Sequence, residues 1–308
     1  MPDPFPLAAL AGFGHQFKAV QGRRLRDIPA ISATVPARTG PNEVRPRPRF
    51  RRTRQKVNAV VIALRAIPRG RYVAGLLVLT GLAVLRSGIG ARVGGTWLME
   101  NVIVGLALLA LFATYRAMPL SRVSYTLIFL FTCLHETGAH WTYAHVPYDE
   151  WWQGIFGVTL NSQLGFTRNN FDRLVHFSYG LLLAYPLREI FLRIANVRGF
   201  WGYFLPLDFT MSTSMIYELI EWATANVVGS SAGNDFLGSQ GDVWDSQKDM
   251  ASASLGALIA MTVIALITWR YKHDFAREFG ESLKVKRTAP LGEDEMARIQ
   301  ESGGRPAR

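Results

Sequence analysis

Apolar residues gather along this chain in long stretches, not in the short alternations of strands. Six stretches stand out, at about 72–90, 97–115, 124–142, 172–191, 201–224 and 248–269. Each is near the roughly 20 residues that a helix needs to cross a hydrocarbon core of about 30 Å. Soluble chains rarely repeat such runs, so the pattern predicts an all-α polytopic membrane protein with six transmembrane helices. The third to fifth stretches are broken by polar residues and have softer ends. A seventh apolar run, "VNAVVIALRAI" (57–67), is too short to span and reads as an interfacial helix.

The ends are different in kind. Residues 1–56 are rich in Arg, Pro and Gly, and 271–308 are rich in charge. The chain therefore divides into a basic tail (1–56), an interfacial segment (57–71), a six-helix domain (72–270) and a charged tail (271–308), both tails expected to be disordered. The opening residues "MPDPFPLAALAGFGHQFK" lack the basic start and sustained apolar core of a signal peptide. The net charge of +11 sits in the tails and short loops, where it reports topology better than nucleic-acid binding, and no folded nucleic-acid module is visible. Basic residues crowd the N-terminal tail, the second and fourth connections and the C-terminal tail, and are sparse elsewhere. The positive-inside rule then places both termini in the cytoplasm. Trp97, Trp141, Tyr143, Trp151 and Trp152 would mark the outer interface. Cys133, without a second cysteine, says nothing about redox compartment.

With that topology, the polar residues inside the stretches fall at one depth, on the extracytoplasmic side. They include Arg86, Glu100, His135, Glu136, His140, Asp172, Arg173, His176, Glu218 and Glu221, with Asp242, Asp245, Lys248 and Asp249 at the entrance of the last stretch. Glu136 and His140 are four apart, as are Asp172 and His176, while Glu218 and Glu221 are three apart. If the last helix starts early, Asp242, Asp245 and Asp249 follow in steps of three and four, so that each set shares a helical face. Ionisable groups at membrane depth cost a few kcal/mol each and should turn inward to a polar site. Eight carboxylates against three permanent cations need a counter-charge: raised pKa values, protonated histidines or a divalent metal ion. The metal candidates are His135, Glu136, His140, Asp172, His176, Glu218, Glu221, Asp242, Asp245 and Asp249. Arg86, Arg173 and Lys248 are the candidates for holding a phosphate headgroup. The structural alternative has Glu218 and Glu221 paired with Arg86 or Arg173, and Asp242 and Asp245 capping the last helix. "HETGAH" is not a zinc-protease helix, because His135 and His140 are five apart, about 140° around the helix.

The segments "ENVIV", "YTLIFLFTCLHETGAHWTYAHVPY", "RNNFDRLVHFSYGLLLAYPLRE" and "QGDVWDSQKDMASASLGAL" together resemble the YjdF-like family of bacterial inner-membrane proteins over residues 72–270. The resemblance implies location and topology, but no reaction. A broader resemblance is to VanZ-like membrane proteins, through "DRLVHF", a Glu-bearing helix (Glu218) and an acidic helix start (Asp245, Asp249). It implies a place near cell-envelope lipids. Asp249 stands where that pattern has Asn and Ser252 where it has Gly, so antibiotic resistance is not carried over.

The leading expectation is a protein of the bacterial plasma membrane, surrounded by membrane lipids, that binds an envelope lipid or cell-wall precursor headgroup through this site, with a divalent metal as bridge. A second reading is a metal-dependent hydrolase or transferase on such a headgroup, with His140, His176 or Glu218 moving protons. A third is a small transporter, which the scarcity of inner-side acids disfavours. The fourth is an ion-pair network with no catalytic role.

Overall fold

In a computed structural model, the structure describes residues 67–228, 240–286 and 292–301. The N-terminal tail and the 57–66 part of the interfacial segment lie outside the described residues, which belong to one compact unit. All regular structure among the described residues is helical: α1 (Arg69–Gly88), α2 (Gly94–Thr114), α3 (Arg122–Trp141), α4 (Tyr148–Phe156), α5 (Leu160–Leu164), α6 (Phe171–Ile194), α7 (Trp201–Val228), α8 (Asp245–Tyr271), α9 (Phe275–Ser282) and α10 (Glu293–Glu301). The six longest, α1, α2, α3, α6, α7 and α8, fall on the six apolar stretches and are 20 to 28 residues long. Of these, α1, α2 and α8 are long and apolar enough to cross a membrane by length and composition. The other three carry the polar residues that lower their hydropathy.

Helix α6 is the centre, packed against α3, α7 and, most extensively, α8. Two glycines set that last crossing. A Cβ on Gly180 would lie 1.9 Å from the Ala253 carbonyl oxygen, and one on Gly256 would lie 2.1 Å from that of Phe177. The two backbones thus touch where lipid gives no hydrophobic push, the close approach that small residues allow between membrane helices. Below the crossing, Ala184, Ala257, Ala260 and Met261 form a tight cluster. At the opposite end of the α3–α6 pair, Val146, Phe171 and Val175 pack together. The outward faces of α1, α2 and α8 expose leucines such as Leu82, Leu106 and Leu266, as a bundle in lipid requires.

The far end of α6 also fastens α3. Ser121 caps α3 by accepting the Ser124 amide, and the Glu189 carboxylate receives the Ser121 amide at 2.8 Å and the Ser124 hydroxyl at 2.6 Å. Glu189, an acid on the predicted inner side, is therefore a helix cap supplied from a neighbouring helix.

The C-terminal tail differs from the expectation of disorder. Phe275 and Phe279, one turn apart on α9, pack edge-on against Tyr203 in the first turn of α7 and Phe200 just before it. Ser282 accepts the Phe200 amide, and Trp201 donates its indole N–H to the Ser282 carbonyl. Two aromatic residues at helical spacing suffice to dock this short amphipathic helix. The outer aromatic assignment also changes in part. Trp151 is exposed on α4, but Trp97 lies over Gly88 and donates to Ser87, and Tyr143 folds inward.

Candidate functional site

The polar residues at the Asp245 end of α8 form three groups, not one. The first is an ion-pair layer around the N-terminus of α8. Asp245 sits 2.6 Å from Arg168 and 3.3 Å from Arg173, while Asp242 takes Arg173 at 2.5 Å and Lys248 at 2.6 Å. Asp242 also accepts the Trp244 amide at 3.1 Å. The hydrogen bonds from Lys248 and from that amide, reinforced by Arg173, hold the Asp242 carboxyl down to about 2. Asp242 and Asp245 are thus helix-entry and ion-pair residues, and Arg173 and Lys248 are engaged by them. The loop before α6 builds this layer. Asn169 exchanges two hydrogen bonds with Gln240, and its side chain ties Val146 to Phe171, which positions Arg168 over Asp245.

The second group lies between α1, α2 and α3. Ser87 donates to the Glu136 carboxylate and receives the Trp97 indole N–H at 2.9 Å. His140 contacts the Ser87 carbonyl through Nδ1 at 2.7 Å, and its own carbonyl accepts the Arg92 amide. Glu136 and His140 therefore lock the α1–α2 corner onto α3 and do not join Asp172. Arg86 is exposed on α1.

The third group is the core of the site. His176 on α6 turns Nε2 toward Asp172, 3.6 Å away, and toward Glu218 of α7, 3.4 Å away. Asp172, His176 and Asp249 each place a ligand-type atom within 4.8 Å of the other two. Asp249 is 2% exposed and Glu218 6% exposed, and each has one carboxylate oxygen without a hydrogen-bond partner among the described residues. Tyr217 sets its ring edge-on to His176 and donates to Glu100 at 2.7 Å. Glu221 lies within electrostatic reach of Asp172, Glu218 and Glu100. His135 joins from α3 with its Nδ1 hydrogen-bonded to Tyr143 at 2.7 Å.

Tyr143 arrives there by an unusual turn. Thr142 and Tyr143 both take positive φ, 58° and 47°, a left-handed conformation that side chains disfavour. The turn lays the Tyr143 ring on Gly138, where a Cβ would come within 2.4 Å of a ring carbon. Beneath this group opens a cavity of about 510 Å³ between α2, α3, α6 and α7. Its wall is polar at His135, Tyr143, Asp172, His176 and Tyr217 and apolar along Val104, Leu108, Leu111, Ile128 and Leu183. Ile103, Ile216 and Ile220, also on the wall, are exposed, so the cavity reaches the outer surface beside α2. A second cavity of about 290 Å³ lies on the other side of α2, which stands off from the bundle.

Sequence patterning did not single out Tyr143, Tyr217 or Arg168. Tyr143 read as an interface aromatic, because its inward path depends on a strained turn. Arg168 read as a sparse outer charge. Only Tyr217, next to Glu218 on a polar face, carried a usable signal.

No solved structure matches the chain. It is 42% identical over 185 residues to the inner membrane protein YjdF of Escherichia coli (strain K12), an alignment covering 60% of this chain and 84% of that protein. The family described as predicted membrane protein (DUF2238) matches residues 72–270, which hold α2 to α7, α8 up to its last residue, and every residue of the three polar groups. By that match over most of its length, the chain belongs to this family of membrane proteins.

Proposed function

We propose that this protein holds an envelope lipid or lipid-linked cell-wall precursor, with its headgroup at the His135–Tyr143–Asp172–His176–Tyr217 end of the cavity and its hydrocarbon against α2, α3, α6 and α7. The cavity carries this reading: one polar end, a long apolar wall and an exposed side next to α2, at a volume within the usual range for small-molecule sites. Beyond that end the polar side chains on the wall are Thr132, Tyr179, Thr213 and Ser214, and the first three are hydrogen-bonded within the protein, which leaves a water-soluble substrate few partners. The reading includes six membrane-spanning helices in the bacterial plasma membrane, both termini cytoplasmic and the polar end extracytoplasmic, supported by the basic residues in the tails. A hydrolase or transferase acting on the same headgroup is the second reading, favoured by the imidazole of His176 between two carboxylates. The transporter reading loses support, because Glu189 on the inner side is committed to capping α3.

The test is lipid retention. The protein purified in mild detergent is examined by native mass spectrometry, beside variants with the cavity filled by Val104→Trp and Leu108→Trp. A bound lipid in the wild type that is lost in both variants is the expected result. Absence of lipid from the wild type, or equal retention in the filled variants, overturns the proposal. Incubation with envelope lipid extracts then separates binding from headgroup cleavage.

A further inference from the structure

We infer that Asp172, His176 and Asp249 form a binding site for one divalent transition-metal ion, zinc or manganese, at the polar end of the cavity. Three observations converge. The ligand-type atoms of the three residues lie within 4.8 Å of one another and come from two helices locked together by the Gly180–Gly256 crossing, so the set is held by rigid elements. His176 Nε2 stands 3.6 Å from Asp172 and 3.4 Å from Glu218, with no hydrogen bond to either. That spacing is long for a direct hydrogen bond. Of the two, the His176–Asp172 distance is the one between proposed ligands, and it is close to the roughly 3.4 Å expected between two ligand atoms that each sit about 2.1 Å from a tetrahedral ion. Asp249, 2% exposed, keeps one carboxylate oxygen without a hydrogen-bond partner among the described residues.

Charge supplies the need. Asp172, Asp249 and Glu218 lie together at membrane depth, where uncompensated carboxylates are costly. The adjacent cations Arg173 and Lys248 already hold Asp242 and Asp245, and Arg168 holds Asp245. One imidazole with carboxylates suits zinc or manganese better than a calcium site built of oxygen alone. Asp172 and His176 also line the cavity, so an ion there would present a free coordination position to the phosphate of a headgroup. That bridging role rests on the lipid reading above, whereas the metal site rests on the three residues themselves.

The experiment uses the full chain in detergent, stripped with a chelator, reloaded separately with Zn²⁺ and Mn²⁺, desalted and measured by elemental mass spectrometry. Wild type should retain about one ion per chain, as one set of three protein ligands predicts. Asp249→Asn and His176→Ala should each weaken retention by at least about tenfold, as changes at ligating shells do, while Glu136→Gln retains the ion. The Mn²⁺-loaded wild type should lose its free-ion paramagnetic resonance spectrum, a reading that does not depend on any variant folding. Wild type that retains neither ion, or retention unchanged in the Asp249→Asn/His176→Ala double variant, overturns the site. Lipid without metal overturns this inference and leaves the lipid reading standing. Metal without lipid upholds it and overturns the lipid reading.

Discussion

Asp245 receives two guanidinium groups on one carboxylate, and its side chain is only 7% exposed. Removing one partner from such a buried pair leaves an uncompensated charge, at a cost of about 3–5 kcal/mol. Asp245→Asn should therefore lower the thermal midpoint of the detergent-solubilised protein markedly. Lys248→Ala should leave it nearly unchanged, because the Lys248 side chain is 49% exposed and exposed ion pairs contribute little. Equal effects of the two substitutions would refute this division of roles. Asp242 adds a pH dependence of definite sign. Its folded-state value of about 2 lies below the usual value of about 3.9, so its contribution is complete above roughly pH 4 and fades as pH falls toward 2. The stability gap between wild type and Asp242→Asn should shrink across that window. A gap that widened there would contradict the assignment.

Two helix-level features hold the site. At the α6–α8 crossing a methyl group has no room, since the atoms it would meet are backbone. Gly180→Ala and Gly256→Ala should each cost at least the roughly 1–3 kcal/mol of an overpacked core, read as lost monodisperse protein on gel filtration. Gly105→Ala on α2 meets nothing within 4 Å and serves as the tolerated control. At the end of α3, Gly138→Ala would push the Tyr143 ring away from His135. Its expected signature is weaker lipid retention in protein that still elutes as a single species. Unchanged retention would remove Tyr143 from the site. The spacing of "HETGAHWTY" shows none of this, because the close contact between Gly138 and Tyr143 exists only once two residues adopt left-handed backbone.

Across the whole molecule, hydropathy and function pull in opposite directions. α1, α2 and α8 are apolar enough to be recognised as spans on composition alone, whereas α3, α6 and α7 carry most of the buried acids and histidines. The proposed topology predicts that a fluorescent-protein fusion at the C-terminus glows and a phosphatase fusion there is inactive. A phosphatase inserted between α4 and α5, near Gly157, should be active. The reverse pattern would invert the membrane orientation and move the polar end to the cytoplasm.

The helical class, the positions of the six long helices and the inward turn of most acids and histidines within them followed from the sequence. Apolar length, charge placement and helical spacing are local properties, and each can be read from neighbouring residues. Partner choice was not local. Asp242, Asp245 and Asp249 are spaced for one helical face, yet α8 begins at Asp245 and leaves Asp242 in the segment before it; the first two turn to Arg168, Arg173 and Lys248 while Asp249 turns to His176 and Asp172. Glu136 and His140 likewise share a spacing with Asp172 and His176 but serve a different junction. Helical periodicity says that such residues face inward. Only the crossing of α6 with α8, set by two glycines, decides which of them meet, because a contact between helices depends on how closely and at what angle their backbones approach.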